Sequence, residues 1–510
     1  MTVPPIRGSS SEKRDKSTIN SNTTFHVYCV CVNGNVMARI ILPHQTIVYL
    51  TQSNKKPMEV LEIARWQFGI TTIYHFFFSP LSIGLAALTA ILHTFYYRTD
   101  SVQYKLLTRF FGKLFIIIFA LGVVTGIVLE FQFGMAWSSY SRFVGDIFGI
   151  PLAIEALMAF FLESTFIAVW LFGWGRLPKG IHLLSIWLVA LGATLSALWI
   201  LIANAWMQYP VGYVLNNGRA ELSDFIAVML NEQMLVMVQH TVLAAFVTGG
   251  LFMLGISAWQ ILRKKQVESF AKSARIALVF TAVSAILVAT TGHRHAQHTV
   301  KHQPMKMAAM EGMWETEQPA SFSMFALIDQ ENRTSSREFK LPYMLSVLAY
   351  NNTTSEVKGM NELQKEYEEA YGPGDYTPPV KVVYWSFRLM VGLGMLFILF
   401  ALYGLVQWWR NKLEHSKLYL KMATYVMFLP LVANSLGWIV TEMGRQPWVV
   451  YGLMLTRDGV SPNVSAGQML LTTISFTLIY GILAAVAVYL IHRFAKPGLP
   501  EDSDKMLHAY

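Results

Sequence analysis

Nine stretches of this chain each run for about 20 residues or more with almost no charge. That pattern constrains the fold more than any other feature. The stretches lie at approximately 68–96, 109–132, 149–173, 181–205, 234–258, 274–292, 381–409, 418–440 and 468–492. An α-helix rises about 1.5 Å per residue, so each is long enough to cross a hydrocarbon core. They are rich in Leu, Ala, Phe and Gly and lack two-residue alternation, so they read as helices, not strands. One apolar run alone is commonly a buried core helix. Nine in one chain predict an all-α integral membrane protein with nine transmembrane helices.

Composition supports this and excludes other classes. Of 510 residues, 54% are hydrophobic and 14% charged, against roughly 25% charged in soluble domains. Cys29 and Cys31 are the two cysteines, both near the N-terminus, so no disulfide framework staples the chain. A net charge of +9 would suggest a nucleic-acid partner in a soluble protein. Here the basic residues cluster in alternate loops: Arg98, Lys105 and Arg109; Arg176 and Lys179; Arg263, Lys264, Lys265 and Lys272; Arg410, Lys412, Lys417 and Lys421; and Arg493 with Lys496. The intervening loops are poorer. The positive-inside rule then predicts an outer N-terminus and a cytoplasmic C-terminus, with no nucleic-acid partner.

The organisation expected is a poorly ordered N-terminal extension at 1–57, with Met58 as the functional start, then transmembrane helices 1–6 over 58–292. A long polar outer loop follows at 293–380, then helices 7–9 over 381–495 and a cytoplasmic tail at 496–510.

Ionisable groups at bilayer depth cost about 2.5–3.5 kcal/mol each on insertion scales, so they are functional candidates. His75, Glu155, His240 and Met390 come early in odd-numbered spans, and Glu442 late in an even one. With the predicted orientation all five fall in the outer part of the membrane, level with Arg388 and Arg445. Imidazole, thioether and carboxylate can ligate haem iron, and guanidinium pairs with propionates. Each has a plainer alternative: helix–helix hydrogen bonding for a histidine, packing for a methionine, snorkelling for an arginine. Glu155 and Glu163 are eight residues apart, a rise of about 12 Å and an offset of about 80° on a regular helix. They can line one side of an inward proton path, with Ser196 as a hydroxyl partner. In the outer loop, His298 and His302 are spaced i, i+4, which is weak evidence for metal and is more simply a solvated cluster. Lys306 and Glu311, beside Met305, Met307 and Met310, could hold a polar headgroup over an apolar tail.

Several ordered runs resemble subunit I of the cytochrome bd family of quinol oxidases. They include Glu62 to Phe68 with Tyr74-His75-Phe76, Gly122 to Gly126 with Glu130 to Gly134, and Gly145 to Gly149 leading to Ala153-Ile154-Glu155. Phe161 to Thr165, Leu195 to Trp199 with Ala203-Asn204, and Gln239-His240-Thr241 continue the match. So do Gln303 to Glu311 with Trp314-Glu315, Phe387 to Met390, and Gly437-Trp438 with Glu442 and Gly444 to Trp448. The likeness covers about residues 58–495.

The resemblance implies a nine-helix subunit with three haems near the outer face: low-spin haem b, high-spin haem b and haem d. By the same resemblance His240 and Met390 ligate the low-spin haem, with Arg388 beside it. His75 and Glu442 serve the two high-spin haems; the preferred pairing gives His75 to haem d and Glu442 to haem b. Glu155, Glu163 and Ser196 belong to a proton route. Lys306 and Glu311 contact quinol, and Arg65, Trp438 and Arg445 support the haem cluster. The implied partners are subunit II, a very small accessory subunit, ubiquinol or menaquinol, oxygen and the bacterial cell membrane. The implied reaction oxidises quinol at the outer face and reduces oxygen with cytoplasmic protons, building a proton motive force without pumping. The 1–57 extension and the run His293 to His302 have no counterpart in the family pattern, so no metal is assigned to the latter.

Two other classes remain. A secondary transporter would use Glu155, Glu163 and Glu442 for coupling and would be colourless; its usual internal repeats are not visible. A haem b electron-transfer anchor would explain His240 and Met390 but leave His75, Glu155 and Glu442 without a role.

Overall fold

A computed structural model describes residues 26–32, 35–41, 47–51 and 56–499, with side chains from Val60 onward. The chain divides into two compact units, Met1–Glu59 and Val60–Tyr510. In the first, strands His26–Val32, Asn35–Ile41 and Ile47–Thr51 form an antiparallel sheet in chain order. Much of the predicted 1–57 extension lies outside the described residues.

Among the described residues of the second unit, nine helices are long and apolar enough to cross a membrane. In order these are the first span Val60–Thr99, second Val102–Met135, third Ser138–Phe172, fourth Lys179–Gln208 and fifth Phe225–Leu262. The sixth is Val267–His302, the seventh Val380–Trp409, the eighth Lys417–Met443 and the ninth Ala466–Ala495. Most outrun the apolar windows at both ends because backbone hydrogen bonding propagates until a cap or breaker stops it; the third and seventh do so only at their N-terminal ends. Asp100 takes a left-handed φ of 53° after the first span. Ser465 and Gln468 form a reciprocal capping box at the start of the ninth. Asn231 accepts a hydrogen bond from Gln233 N–H within the fifth.

Two expectations change. The sixth helix continues ten residues past 292, to His302, because no helix breaker intervenes before Pro304; the start of the expected loop is therefore helical. The third span is not a regular helix: Glu155–Phe160 is a π-helical segment. Its wider turn alters the angular offset expected between Glu155 and Glu163.

The remainder of the segment between the sixth and seventh spans carries ordered structure. A short helix, Pro304–Glu311, is followed by the hairpin Phe322–Asp329 and Thr334–Leu341, then helices Met344–Tyr350 and Met360–Tyr371. Its Met and Ala residues pack with Val380 and Val383 of the seventh span and Val440 of the eighth.

The apolar core of the bundle is layered. One cluster draws on early residues of odd spans (Ala64, Tyr140, Val144, Met234, Met237) and late residues of an even span (Leu201 to Met207). The other takes late residues of odd spans (Leu85, Ile167, Leu251, Phe397) and early ones of even spans (Phe111, Ile186, Phe270, Leu420). That alternation is what antiparallel neighbouring helices produce.

Candidate functional site

Three of the polar residues singled out in the sequence fall, along their spans, between residues of the two apolar layers. His75 falls between Ala64 and Phe78, His240 between Met237 and Val247, and Glu155 between Phe148 and Ile167.

His75 and His240 are held in the same way on different helices. Nδ1 of His75 lies 3.0 Å from Thr125 Oγ1, and Nδ1 of His240 lies 3.4 Å from Thr291 Oγ1. Each threonine hydroxyl lies 2.9–3.1 Å from carbonyls three and four residues earlier: Thr125 bonds Leu121 and Gly122, Thr291 bonds Leu287 and Val288. A hydroxyl has one proton. Committed to a carbonyl, it accepts from the imidazole, which makes Nδ1 the N–H and leaves the Nε2 lone pair for a ligand. The residue after each threonine is glycine. A Cβ on Gly126 would lie 3.1 Å from His75 Cε1, and one on Gly292 would lie 3.1 Å from His240 Cε1. Met390 repeats the theme: a Cβ on Gly437 of the eighth span would stand 3.0 Å from its sulfur. Three candidate iron ligands thus face a glycine on a neighbouring helix, which lets each side chain lie close against that helix.

Around Glu442 the contacts are dense. Its carboxylate pairs with Arg445, accepts from Asn204 Nδ2 at 2.9 Å and lies 3.5 Å from Gln208 Nε2. Gln208 is fully buried and links the fourth span to the helix Pro304–Glu311. Its Oε1 accepts from Lys306 Nζ at 2.7 Å and from Gln303 Nε2 at 3.1 Å. Arg65 donates to Gln446 at 2.5 Å, and Gln446 donates to the Glu442 carbonyl at 3.3 Å. Trp438 stacks on Phe76, centroids 5.5 Å apart, which brings the helical turn of His75 against that of Glu442.

Glu311 meets Arg388. Both side chains are buried, and the guanidinium donates to both carboxylate oxygens, at 2.5 and 3.3 Å. The Arg388 guanidinium also lies 4.4 Å from the Phe322 ring and 4.9 Å from Tyr384. Burial raises the Glu311 carboxyl above the usual carboxylate range, opposed by the charge and hydrogen bonds of Arg388. Burial lowers the Lys306 ammonium to about 7; Arg445 adds to that and Glu442 opposes it.

On the third span Glu155 accepts from Ser196 Oγ of the fourth at 2.5 Å. Glu163 is buried against Gly192 of the same helix. The structure therefore joins Glu155 with Ser196, Glu442 with Arg445, Lys306 with Gln208, and Glu311 with Arg388. No hydrogen bond or ion pair among the described residues joins His240 to Met390, or His75 to Glu442.

The residues fit haem. Arg388 Nε, Arg445 Nη1 and Asn204 Oδ1 are buried without hydrogen-bond partners. Such groups are normally satisfied, and a carboxylate-bearing prosthetic group would satisfy the two guanidinium groups. Gln208, Thr125 and Thr291 are uncharged, so a search for intramembrane charge misses them. The available signal was a Thr-Gly pair inside an apolar helix.

Comparison with known proteins agrees with this chemistry. The family model described as cytochrome bd terminal oxidase subunit I matches residues 63–499. The chain is 51% identical to cytochrome bd ubiquinol oxidase subunit 1 of Bacillus subtilis (strain 168), over 88% of this chain and 96% of that protein. It is 39% identical to cytochrome bd-II ubiquinol oxidase subunit 1 of Escherichia coli (strain K12), over 86% and 97%. Among solved structures, the bd oxidase from Geobacillus thermodenitrificans superposes with a TM-score of 0.79 at 26% identity, covering 86% of this chain and 99% of that one.

Proposed function

The chain belongs to the cytochrome bd terminal oxidase subunit I family, and on that premise we propose specific roles for its buried polar residues. As a family member it is a multi-span subunit of a quinol:oxygen oxidoreductase in the bacterial cell membrane, carrying haem and working with a subunit II. His240 and Met390 would hold the iron of a low-spin haem b. His75 and Glu442 serve a high-spin pair, with haem d on His75 and haem b on Glu442. Haem iron, when bound, takes electrons from quinol and delivers them to oxygen. The remaining work falls to the protein. Arg388 and Arg445 neutralise buried negative charge. Thr125 and Thr291 orient the imidazoles, and Trp438 and Arg65 brace the eighth span. The observation that carries this reading is the pair of imidazoles, each with Nδ1 against a threonine hydroxyl and packed on a Thr-Gly step.

Lys306 and Glu311 stand at the quinol side, in the loop at 293–380, which faces outward. Protons for water reach the oxygen site from the cytoplasm past Glu163, Glu155 and Ser196. Release on one side and uptake on the other separates charge without a pump. Subunit II is joined by a very small accessory subunit.

The test is a reduced-minus-oxidised spectrum of the purified complex. Low-spin b bands together with carbon-monoxide-sensitive high-spin bands are expected. A low-spin signal alone would favour the anchor; no haem signal at all would sink the oxidase roles.

Lys306 supplies a pH prediction. A lysine held near 7 is charged below that pH and neutral, able to accept a proton, above it. Quinol oxidation should rise with pH through about 7. Lys306→Met should flatten that limb while the haem spectrum is unchanged. An identical pH–rate profile in the variant removes Lys306 as the acceptor of quinol protons.

A further inference from the structure

The last turns of the sixth span carry His298 and His302, four residues apart and so on one helix face. Their rings stack with centroids 4.4 Å apart. Facing them is Glu232, in the first turn of the helix Glu232–Leu262 of the fifth span. Its Oε2 lies 3.5 Å from His302 Nε2 and 3.9 Å from His298 Nε2. The three candidate donor atoms all fall within 4.8 Å of one another. The His298 and His302 side chains are 8% and 13% exposed, and that of Glu232 is 63% exposed. Both ring nitrogens of His298, and Nε2 of His302, are buried without a hydrogen-bond partner. Buried polar atoms are normally satisfied, so orphaned imidazole nitrogens facing a carboxylate need an explanation. The ring of Tyr209 closes one side, 4.4 Å from His302 and 6.0 Å from His298. None of the three residues has a part in the haem or proton roles above.

We propose that Glu232, His298 and His302 bind one divalent ion of the zinc class where the fifth and sixth spans meet. Two imidazoles and a carboxylate suit zinc and its neighbours; calcium and magnesium prefer all-oxygen sites. With metal–ligand distances of about 2.0–2.1 Å, donor atoms around a tetrahedral ion stand roughly 3.3 Å apart. The observed 3.5 and 3.9 Å separations are close to that value. The exposed Glu232 side chain is free to close the difference and leaves a path for entry. The fourth position is open to water. The ion ties the first turn of one helix to the last turn of the other. Gln303 follows directly, its N–H bonded to Thr299 O at 2.8 Å, and leads into the helix that carries Lys306 and Glu311. The site therefore restrains the joint on which those residues sit.

The test titrates zinc alone into the intact oxidase complex against a chromophoric chelator. One zinc per chain is expected. The double variant His298→Ala, His302→Ala should lose at least about tenfold in zinc affinity, since even supporting residues of metal sites carry that much. Its haem spectrum should match the parent. Glu232→Gln, altered at an exposed side chain, should also weaken binding and decides the matter if the double variant does not assemble. His293→Ala, on the same helix but outside the cluster, should bind zinc as the parent does. Unchanged zinc affinity in the double variant, or in Glu232→Gln where that alone assembles, overturns the proposal.

Discussion

A His240→Ala variant should lose the low-spin haem signal while the carbon-monoxide-reactive high-spin bands persist. The reason lies in the local chemistry. His240 presents Nε2 because Nδ1 is engaged by Thr291, whose own proton goes to the preceding turn. Alanine removes the imidazole that Thr291 orients. Met390→Leu should act on the same signal by a gentler route. Leucine nearly preserves the volume and apolarity but supplies no thioether, so packing holds while the sulfur that would bind iron is lost. Thr291→Val should fall between parent and alanine, weakening haem retention by about 10–100-fold, as loss of an outer-shell partner does in metal sites. The measurement is the reduced-minus-oxidised spectrum of each purified variant with haem counted per chain. If His240→Ala and Met390→Leu both retain the low-spin bands, the ligand assignment is wrong.

Removing the Glu311 carboxylate should produce the other large effect. Its partner Arg388 is 8% exposed and held through Nη1 and Nη2. Breaking a buried pair by deleting one member leaves an uncompensated charge, at about 3–5 kcal/mol. Glu311→Ala should therefore loosen the junction between helix Pro304–Glu311 and the seventh span. Quinol-driven oxygen consumption should fall steeply while the haems remain in place. Glu311→Gln keeps the volume and can still accept from Ser323 N–H, a contact of 3.3 Å in the parent, so it should fall less. The check compares quinol-driven turnover with turnover from an artificial one-electron donor, beside haem content. Loss of haem in step with activity would count against a substrate role for Glu311 and make its pairing purely structural.

Much of this site can be read in the chain, and the limit is physical. His75, Glu155, His240 and Glu442 stand out because ionisable groups are rare in apolar helices, and alternating topology then assigns them one depth. Thr125 and Thr291 do not stand out, because hydroxyls are common in such helices and usually bond their own preceding turn. The eight-residue spacing of Glu155 and Glu163 assumed a regular helix, and the π segment at Glu155–Phe160 changes it. His298 and His302 looked like a solvated surface pair. Burial of both rings opposite Glu232 gives them a different character.

The nine spans were determined by the sequence alone. In lipid each helix must satisfy its backbone within itself, so length and apolarity suffice to specify it. Which side chains meet was decided by the tertiary structure. Arg388 reaches Glu311 across 77 residues of chain, and Asn204 reaches Glu442 across 238. Gln208 joins Lys306 to Glu442 only because three elements converge on it. Such pairings depend on the rotation and register of one helix against another. Those are set by packing along the whole contact, and no local run of residues encodes them.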